Sequence, residues 1–570
     1  MATAKVVSRS LARLLVSRNY SLTKYVNEGT WTSGNIVKSP AKDVEIPNRL
    51  IPEHIWENME KWPDKTAVIC GITKRSFTYH QLYKNSRNLA AKLRNSLNIR
   101  DSDVICIMMP NSPDYALAIL GTLQAGAEVT TVNPIYTAHE VHRQLLLSKP
   151  KLLIGIPETI SVLKDALKLA KMDIPIISCR GYANNDLPDD VIAFDELANA
   201  TNVDYDVLKD VSRTPSDIAL LPYSSGTTGL PKGVELTNRN IVSNCVQQNS
   251  NGLRHYQDTT STYQDATLAV LPFYHIYGLS IVLLHKLSVG VKVVTLPKFQ
   301  PQSFLTTLKE QKISIFCAAP PLILFLGSNP EVKNEDLESL NVITCGAAPL
   351  PKLDIYRVLN KTKKNLAFLQ LYGLTETAPL VTTLPNNSKN YVSAGVAVPN
   401  TELKIINTDE IALGPNEVGE LLVRGPQVMK GYRNNPEATK QVITEDGWFR
   451  TGDIASIDED GALTITDRVK ELIKVKGYQV APAELESILR EHPDVEDAGV
   501  VGVPDSRTGE APKAFVVVKE GSKTKAMNIL NYVSERVAEF KRIKEIVFLD
   551  SLPKNPSGKL LRRILKEKYA

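Results

Sequence analysis

The sequence has few cysteines, and no two of them lie close together in the chain. Its 570 residues include 6 cysteines, and no two form a C-x-x-C pair. Scattered cysteines of this kind support neither a zinc site nor a disulfide framework, and they favour a reducing compartment. The sequence positions concerned are Cys70, Cys106, Cys179, Cys245, Cys317 and Cys345.

Long apolar runs and a strong charge of one sign are also missing. The longest apolar stretches, 116–123 and 279–284, are too short to cross a bilayer, so no transmembrane segment is predicted. The net charge is only +5, and no dense basic run is interleaved with aromatic residues, which argues against nucleic acid as a partner. Hydrophobic residues at 43% and charged residues at 23% are ordinary for a globular enzyme.

The first residues differ from the rest of the chain. Arg9, Arg13 and Arg18 occur among serines, no acidic residue precedes Glu28, and apolar residues recur at helical spacing. Such a segment is typical of a mitochondrial transit peptide, with cleavage expected after Tyr20. We therefore predict a leader over 1–33 and a location in the mitochondrial matrix. A basic tail on a cytoplasmic protein is the alternative, and the C-terminus is not a peroxisomal S-K-L address.

Beyond the leader the chain alternates apolar strand-like runs with helical stretches, which predicts an α/β fold. A strand at 103–109 and a helix at 114–124 form one such unit. Further buried strands are predicted at 126–134, 152–156, 218–223, 291–296, 313–318 and 342–345.

The character changes from about residue 403, where short strands broken by Gly, Pro and Asn predict a β-rich subdomain. The last hundred residues predict a small α+β unit, with helices at 482–491 and 525–540 and strands at 495–503, 513–519 and 545–549. We therefore predict a large N-terminal domain of two α/β subdomains and a β-rich subdomain over 34–467. A hinge at 468–470 and a small mobile C-terminal domain over 471–570 follow.

The most informative segment is SSGTTGLPKG at 224–233, which follows a predicted strand and precedes a helix that Thr237 can cap. Its three glycines let backbone approach a ligand closely, and its hydroxyl and N–H groups can donate to phosphate oxygens. Pro231 stands where a Walker A loop needs glycine, so a GTPase or kinase is not indicated. A surface loop without a ligand is the alternative.

This loop resembles the signature of the adenylate-forming superfamily, closest to its coumarate–CoA ligase and luciferase-like branch. Further motifs of that superfamily follow in the expected order over residues 35–570. They are LPFYH at 271–275, GAAP at 346–349, YGLTET at 372–377, RTGD at 450–453, DRVK at 467–470, GYQVAP at 477–482 and NPSGK at 555–559.

The resemblance implies an ATP-dependent carboxylic acid–CoA ligase that works through an acyl-adenylate, with ATP, Mg²⁺, coenzyme A and a small carboxylic acid as its ligands. Glu376, with Thr228, is then expected to hold Mg²⁺, and Asp453 and Arg468 to bind the ribose. The residues implied at the ATP or AMP site are Ser224, Ser225, Gly226, Thr227, Thr228, Gly229, Lys232, Gly346, Ala347, Ala348, Gln370, Tyr372, Gly373, Thr375, Asp453, Arg468 and Lys559.

The resemblance also implies two catalytic faces on a rotating C-terminal domain. Lys559 is expected across the α-phosphate and the carboxylate during adenylation, with His275 beside the reacting carboxylate. Rotation about Lys470 would then exchange Lys559 for the catalytic residues Lys474 and Gln479. Coenzyme A is expected to bind at Lys474, Gly477 and Tyr478.

The acid pocket implied by the resemblance is less polar or differently shaped than in the plant enzymes, because Thr344 stands where they usually carry lysine and Leu371 where related enzymes usually have glycine. We therefore expect a medium-chain fatty acid or an aryl acid such as a coumarate-like acid. The implied pocket residues are His275, Tyr277, Gly278, Ala319, Thr344, Gly346, Leu371, Gly373 and Pro379. A luciferase-like monooxygenase, a carrier-loading adenylation module and a non-catalytic nucleotide-binding scaffold are the alternatives.

Overall fold

Four β-sheets with flanking helices make up the computed structural model of the chain. It describes residues 30–569 except 182–186, 225–230, 349, 387, 469–470, 476–477, 506–507, 538, 555–557 and 559, and it describes only the backbone of residues 468, 474, 478 and 479. In the described residues, no helix is both long and apolar enough to span a bilayer. The α/β architecture predicted from the alternating pattern is confirmed.

The first sheet, called here the N-terminal sheet, has nine strands. Its middle strands are parallel and fully buried, as continuous apolar runs predict for a sheet covered on both faces. In order along the main path they are Tyr223–Ser224, Lys232–Thr237, Ile218–Leu221, Glu128–Thr131, Val104–Ile107, Leu152–Gly155, Ile176–Ser178 and Val191–Ala193, and Gly431–Tyr432 pairs with Lys232–Thr237.

The second sheet, called here the central sheet, also has nine strands. One continuous hydrophobic core joins it to the N-terminal sheet, with Ile105 of one sheet and Val68 of the other in the same cluster. Its strands, in order, are Val396–Ala397, Leu380–Thr383, Ala367–Gly373, Val342–Cys345, Ile315–Ala318, Ala266–Ala269, Lys292–Thr295, Thr66–Cys70 and Ser76–Thr78.

Helices pack on these two sheets, and several begin at the caps that the sequence indicates. Ser112 caps the helix Pro113–Gln124 by accepting from the Tyr115 N–H, and Thr237 caps Asn238–Gln247 as predicted. The other helices of the large domain are Ile51–Trp56, Tyr79–Ser96, Ala138–Ser148, Pro157–Ala170, Phe194–Ala198, Tyr277–Leu284 (a π-helix) continuing as His285–Ser288, Pro301–Glu310, Pro320–Ser328, Asn334–Leu337, Lys352–Leu359 and Pro436–Val442, with 3₁₀ turns at Met59–Lys61, Asp206–Asp210 and Thr375–Thr377.

The third sheet, called here the antiparallel sheet, corresponds to the β-rich region predicted from residue 403 onward. It also contains two strands from the start of the described chain, so the predicted leader over 1–33 overlaps its first strand. Its strands, in order, are Trp31–Thr32, Ile36–Lys38, Glu402–Ile406, Gly419–Arg424, Phe449–Ile457 and Leu463–Arg468.

The fourth sheet, called here the C-terminal sheet, has a core of its own built around Val480, Val500, Ala514 and Ile529. The predicted helix at 525–540 is too long, because the helix ends at Ser534 and a separate 3₁₀ turn spans Glu539–Lys541. The strands are Tyr478–Val480, Ile473–Val475, Gly509–Val518, Val495–Asp505 and Glu545–Phe548, and the helices are Pro482–Glu491, Ala526–Ser534 and Arg562–Tyr569.

Candidate active site

The predicted phosphate loop connects two short paired strands of the N-terminal sheet. Ser224 lies opposite Lys232 in the antiparallel register, and Tyr223 lies opposite Gly233. The hydroxyl of Ser224 is buried and has no hydrogen-bond partner among the described residues. An unsatisfied buried hydroxyl at the entrance of the loop suits a ligand with acceptor oxygens. Ser225, Gly226, Thr227, Thr228 and Gly229 lie outside the described residues.

Glu376 and Lys232 both contact the side chain of Tyr432. Glu376 is 8% exposed on the 3₁₀ turn Thr375–Thr377, and its Oε1 accepts a hydrogen bond of 3.0 Å from the hydroxyl of Tyr432. The ammonium nitrogen of Lys232 lies 4.8 Å from the centroid of the Tyr432 ring. Burial, and then the charge of Glu376, raise the pKa of Tyr432, so its phenol keeps its proton. The structure therefore brings the expected metal ligand and the expected phosphate lysine together.

Asp453 and Tyr372 join the antiparallel sheet to the central sheet. The Tyr372 hydroxyl donates to Oδ2 of Asp453 over 2.6 Å, and Asp453 is 4% exposed. Asp453 is paired in register with Arg468 on the neighbouring strand, so the two residues expected at the ribose lie side by side along the backbone. A carboxylate can accept hydrogen bonds from the hydroxyl groups of a sugar, which suits the role predicted for Asp453.

The small residues expected around adenine follow the central strand Val342–Cys345. Gly346 is buried, Ala347 is exposed and Ala348 is partly exposed, so this segment leads from the sheet core to the surface. Ala347 has a φ of +76°, a left-handed backbone conformation that residues other than glycine adopt rarely. Such conformations concentrate at ligand sites, which fits the expected role of this segment.

The predicted acid-pocket residues lie close together. The Tyr277 hydroxyl is 3.4 Å from the hydroxyl oxygen of Thr344, and a Cβ added to Gly346 would stand 3.5 Å from the Tyr277 ring and 3.2 Å from the Leu371 carbonyl oxygen. Burial raises the pKa of Tyr277 well above its ordinary value, so this hydroxyl stays neutral. These predicted pocket residues thus carry two neutral hydroxyls and aliphatic surface.

Two further predicted pocket positions need glycine for space. A Cβ on Gly373 would stand 2.0 Å from the carbonyl oxygen of Pro379, and one on Gly278 would stand 2.3 Å from that of Pro272. His275 is partly exposed, and its Nδ1 accepts from the Tyr277 N–H over 3.2 Å. His275 is therefore only partly buried, which fits the position predicted for it at a ligand site.

Gln370 and Thr375 lie on the strand Ala367–Gly373 and on the 3₁₀ turn that follows it. The Gln370 side-chain amide donates to the backbone carbonyl of Tyr391 over 2.5 Å, and the backbone carbonyl of Gln370 accepts from the Leu384 N–H. Thr375 is 9% exposed at the start of the turn that carries Glu376. The roles expected of Gln370 and Thr375 at the nucleotide stay predictions.

The C-terminal domain reaches this region through Gly558. A Cβ built on Gly558 would stand 2.4 Å from Cγ of Pro321, at the start of the helix that follows pocket residue Ala319. The residue that precedes Lys559 in sequence therefore packs beside the predicted acid pocket. Lys559 itself, the hinge Lys470 and Gly477 lie outside the described residues.

The second predicted face of the C-terminal domain is a β-hairpin. Its strands place Lys474 opposite Gln479 and Val475 opposite Tyr478 in the antiparallel register. The pairing places the backbones of the predicted catalytic residues Lys474 and Gln479 opposite each other, and the backbone of Tyr478, predicted to bind coenzyme A, in the next pair along the hairpin.

Comparisons with known proteins agree with this geometry. A family model described as "AMP-binding enzyme" matches residues 55–433, and one described as "AMP-binding enzyme C-terminal domain" matches residues 484–559. The chain belongs to the AMP-binding enzyme family. The expected membership of the adenylate-forming superfamily is thereby confirmed.

The similar curated proteins match over nearly their whole length. The chain is 38% identical to "4-coumarate–CoA ligase 3" of Oryza sativa subsp. japonica over 542 residues, covering 94% of this chain and 95% of that protein. It is 39% identical to "4-coumarate–CoA ligase 1" of Petroselinum crispum over 546 residues, covering 94% of this chain and 97% of that protein.

Solved structures show the same architecture. ATP-bound MatB from Rhodopseudomonas palustris superposes with a TM-score of 0.80 at 26% identity, covering 92% of this chain and 99% of that chain. O-succinylbenzoate CoA synthetase (MenE) from Bacillus subtilis, in complex with its acyl-adenylate intermediate, gives a TM-score of 0.76 at 28% identity, covering 91% and 98%. The predicted fold class, with large N-terminal and small C-terminal domains, is confirmed.

Sequence reasoning missed Tyr432 and Pro321. Tyr432 lies in the two-residue strand Gly431–Tyr432, and Pro321 lies in a helix whose partner Gly558 is more than two hundred residues away in the sequence. The dipeptide Gly431-Tyr432 just before a helix-starting Pro436 gave only a weak turn signal. Neither contact can be recognised without the pairing of distant segments.

Proposed function

We propose that the protein is an ATP-dependent carboxylic acid–CoA ligase that forms an acyl-adenylate, releases pyrophosphate and passes the acyl group to the thiol of coenzyme A. The observation that carries this proposal is the convergence of Lys232 and Glu376 on Tyr432, beside the Ser224 end of the glycine-rich loop. The names of the similar proteins, which are CoA ligases and a CoA synthetase, support it.

The first half-reaction needs cations where negative charge gathers. As the carboxylate oxygen attacks the α-phosphorus and the bond to pyrophosphate breaks, charge increases on the phosphate oxygens, and cations placed there stabilise the transition state more than the ground state. In this proposal Lys232 binds the departing phosphates, and Lys559 bridges the α-phosphate and the carboxylate. Asp453, held by Tyr372, orients the ribose.

Glu376 suits a hard cation. Its Oε1 accepts from Tyr432, while its Oε2 has no hydrogen bond with any described group, so one carboxylate oxygen is left for a ligand. Mg²⁺ prefers oxygen ligands and is usually held by one or two carboxylates together with phosphates. We propose that Glu376, with Thr228, holds Mg²⁺, which neutralises charge on the triphosphate when it is bound.

The second half-reaction needs a different set of groups at the same site. A thiol must approach the acyl carbonyl carbon, and AMP must leave with the bonding electron pair. In this proposal the C-terminal domain turns at 468–470, so that the hairpin with Lys474 and Gln479 replaces Lys559. Domain motion of this kind lets one cleft serve two reactions in sequence.

For the acid, we propose a medium-chain fatty acid or a weakly polar aryl acid. Thr344, Tyr277 and Leu371 present neutral hydroxyls and aliphatic surface, and no ionised side chain among these pocket residues could balance a charged or strongly polar ring substituent. Fatty acid metabolism is the corresponding process. The coumarate ligases named above favour the aryl alternative.

The test is an assay of the purified protein with ATP, Mg²⁺, coenzyme A and a panel that includes octanoate, decanoate, cinnamate and 4-coumarate. We expect acid-dependent exchange of labelled pyrophosphate into ATP, followed by thioester formation. Lys559→Ala should slow exchange by about a hundredfold or more. Lys474→Ala should instead retain exchange and lose thioester formation, so the two variants control for each other. Exchange that is absent with every acid would contradict the proposal.

Thr344→Lys tests the substrate class. A lysine at this buried position adds a hydrogen-bond donor and positive charge to the pocket, so we expect kcat/KM for octanoate to fall at least tenfold relative to 4-coumarate. Thr344→Val, which keeps the size and removes the hydroxyl, is the matched control and should favour apolar acids. If the ratio of kcat/KM for octanoate to that for 4-coumarate is unchanged in both variants, the acid does not bind at Thr344.

We further propose that the protein acts in the mitochondrial matrix. The Arg-rich, Ser-rich and acid-poor composition before Glu28 supports this location. Sequencing the N-terminus of protein purified from its own cells should find a chain that begins near Ser21. A mature protein that retains the first twenty residues and fractionates with the cytosol would contradict the proposal.

A further inference from the structure

We propose that Tyr432 is a positioning residue for adenylation, which orients the magnesium carboxylate Glu376 with its hydroxyl and the phosphate lysine Lys232 with its ring. This inference rests on the proposed function. It concerns one side chain that touches both charged groups and comes from a segment outside all the motifs that indicated the site.

The backbone fixes Tyr432 between the elements that carry the two charged residues. Val234 lies opposite Tyr432 in the register that joins Gly431–Tyr432 to the strand Lys232–Thr237. The Tyr432 N–H donates to the Thr439 hydroxyl over 2.9 Å. Three residues earlier, the Met429 N–H donates to the backbone carbonyl of Glu376 over 2.8 Å. The tyrosine therefore has little freedom to move relative to either partner.

The hydroxyl selects which oxygen of Glu376 faces a ligand. Tyr432 and Glu376 are each 8% exposed, and their 3.0 Å hydrogen bond is shielded from water. A carboxylate with Oε1 engaged in this way cannot rotate freely, so Oε2 keeps one direction. Groups that hold a metal-binding carboxylate in place affect metal affinity or activity about 10-fold to 100-fold when they are removed.

The ring acts on Lys232 through its face. A lysine ammonium within about 6 Å of an aromatic centroid is attracted by the electron-rich face of the ring, and here the separation is 4.8 Å. The long lysine side chain otherwise samples many rotamers, so this contact reduces the entropy lost when a phosphate binds. The two roles can be separated, because phenylalanine retains the ring and lacks the hydroxyl.

The experiment compares Tyr432→Phe and Tyr432→Leu with the parent. For Tyr432→Phe we expect the Mg²⁺ concentration that half-saturates pyrophosphate exchange to rise about tenfold, while the KM for ATP changes less than about twofold because the ring remains. For Tyr432→Leu both quantities should rise. The rate of acyl transfer from added acyl-adenylate to coenzyme A should stay within about twofold of the parent in both variants. This rate is the control for folding, because a folding defect would lower it together with pyrophosphate exchange.

Tyr79→Phe is the matched control. Tyr79 is fully buried and its hydroxyl donates to the Val291 carbonyl over 2.9 Å, at a contact that involves none of the site residues. It therefore removes a buried tyrosine hydroxyl without touching Glu376 or Lys232. Its Mg²⁺ requirement should equal that of the parent. An equal shift in Tyr79→Phe and Tyr432→Phe would overturn the proposal.

A binding measurement separates this inference from the proposed function. Mn²⁺ binding in the presence of a non-hydrolysable ATP analogue, followed by electron paramagnetic resonance, should weaken about tenfold in Tyr432→Phe whether or not the protein turns over any acid. If the parent lacks acid-dependent exchange, the proposed function fails and the Mn²⁺ measurement alone decides the role of Tyr432. Equal Mn²⁺ affinity in parent and Tyr432→Phe would refute that role.

Discussion

His54 shows how a single buried side chain makes stability depend on pH. It is 8% exposed on the helix Ile51–Trp56, and neither ring nitrogen has a hydrogen-bond partner in the described residues. Burial lowers the pKa of His54 below its ordinary value of 6.5. The folded protein therefore keeps this ring neutral at a pH where the unfolded chain binds a proton.

We predict that His54→Leu makes stability less dependent on pH between 7.5 and 5.5. Above the unfolded pKa both states are neutral and His54 contributes no pH dependence. As the pH falls below 6.5, proton uptake by the unfolded state reduces stability by up to about 1.4 kcal/mol per pH unit until the folded pKa is reached. Thermal unfolding at the two pH values should show a smaller loss of Tm in the variant than in the parent, and an equal loss would contradict this account.

At the scale of elements, the contact between Gly558 and the helix Pro320–Ser328 brings the C-terminal domain to the predicted acid pocket. Gly558 has a φ of +81°, and an added Cβ would stand 2.4 Å from Cγ of Pro321. Both the backbone conformation and the close approach require glycine. The proline ring is rigid and cannot yield as a flexible side chain would.

We predict that Gly558→Ala slows pyrophosphate exchange by up to about a hundredfold, because it displaces the segment that leads to Lys559 and misplacement of about 1 Å can cost this much. Gly521→Ala is the matched control, since Gly521 has a φ of +79° in the same domain but an added Cβ would meet nothing within 4 Å. Its exchange rate should equal that of the parent. Equal rates for the two variants would show that the Pro321 contact is unimportant.

The elements also show where sequence prediction succeeds. The helix Pro482–Glu491 and the strand Val342–Cys345 match their predicted bounds, because proline at a helix start and a short apolar run are local signals. The helix predicted to reach residue 540 ends at Ser534 instead. Lys541 then bonds both carboxylate oxygens of Glu484 at 2.8 Å, a contact with a distant helix that no local pattern announces.

At the scale of the whole molecule, the predicted nucleotide site draws its residues from three sheets. Lys232 belongs to the N-terminal sheet, Glu376 follows a strand of the central sheet, and Asp453 belongs to the antiparallel sheet. A ligand that contacts all three links them, so its binding energy should appear as stability of the large domain.

We predict that Mg²⁺ and ATP together raise the Tm in thermal unfolding, with a stabilisation of about 2.7 kcal/mol when ATP is present at a hundred times its Kd. EDTA should remove part of this effect, because the Mg²⁺ proposed at Glu376 would no longer neutralise the charge of the triphosphate. Asp453→Ala should remove part of it even when Mg²⁺ is present. A Tm that is unaffected by ATP would contradict nucleotide binding itself.

The sequence by itself determined the family, the α/β class and which charged residues are predicted for the site. These depend on local order, which here means a glycine-rich loop after a strand, motifs in a constant succession and apolar periodicity. Only the tertiary structure decided that Tyr432 contacts Glu376 and Lys232, that Gly558 lies on Pro321, and that the strands near Trp31 complete the antiparallel sheet. Those contacts join segments far apart in the chain, and their geometry follows from how the sheets pack, which no local pattern specifies.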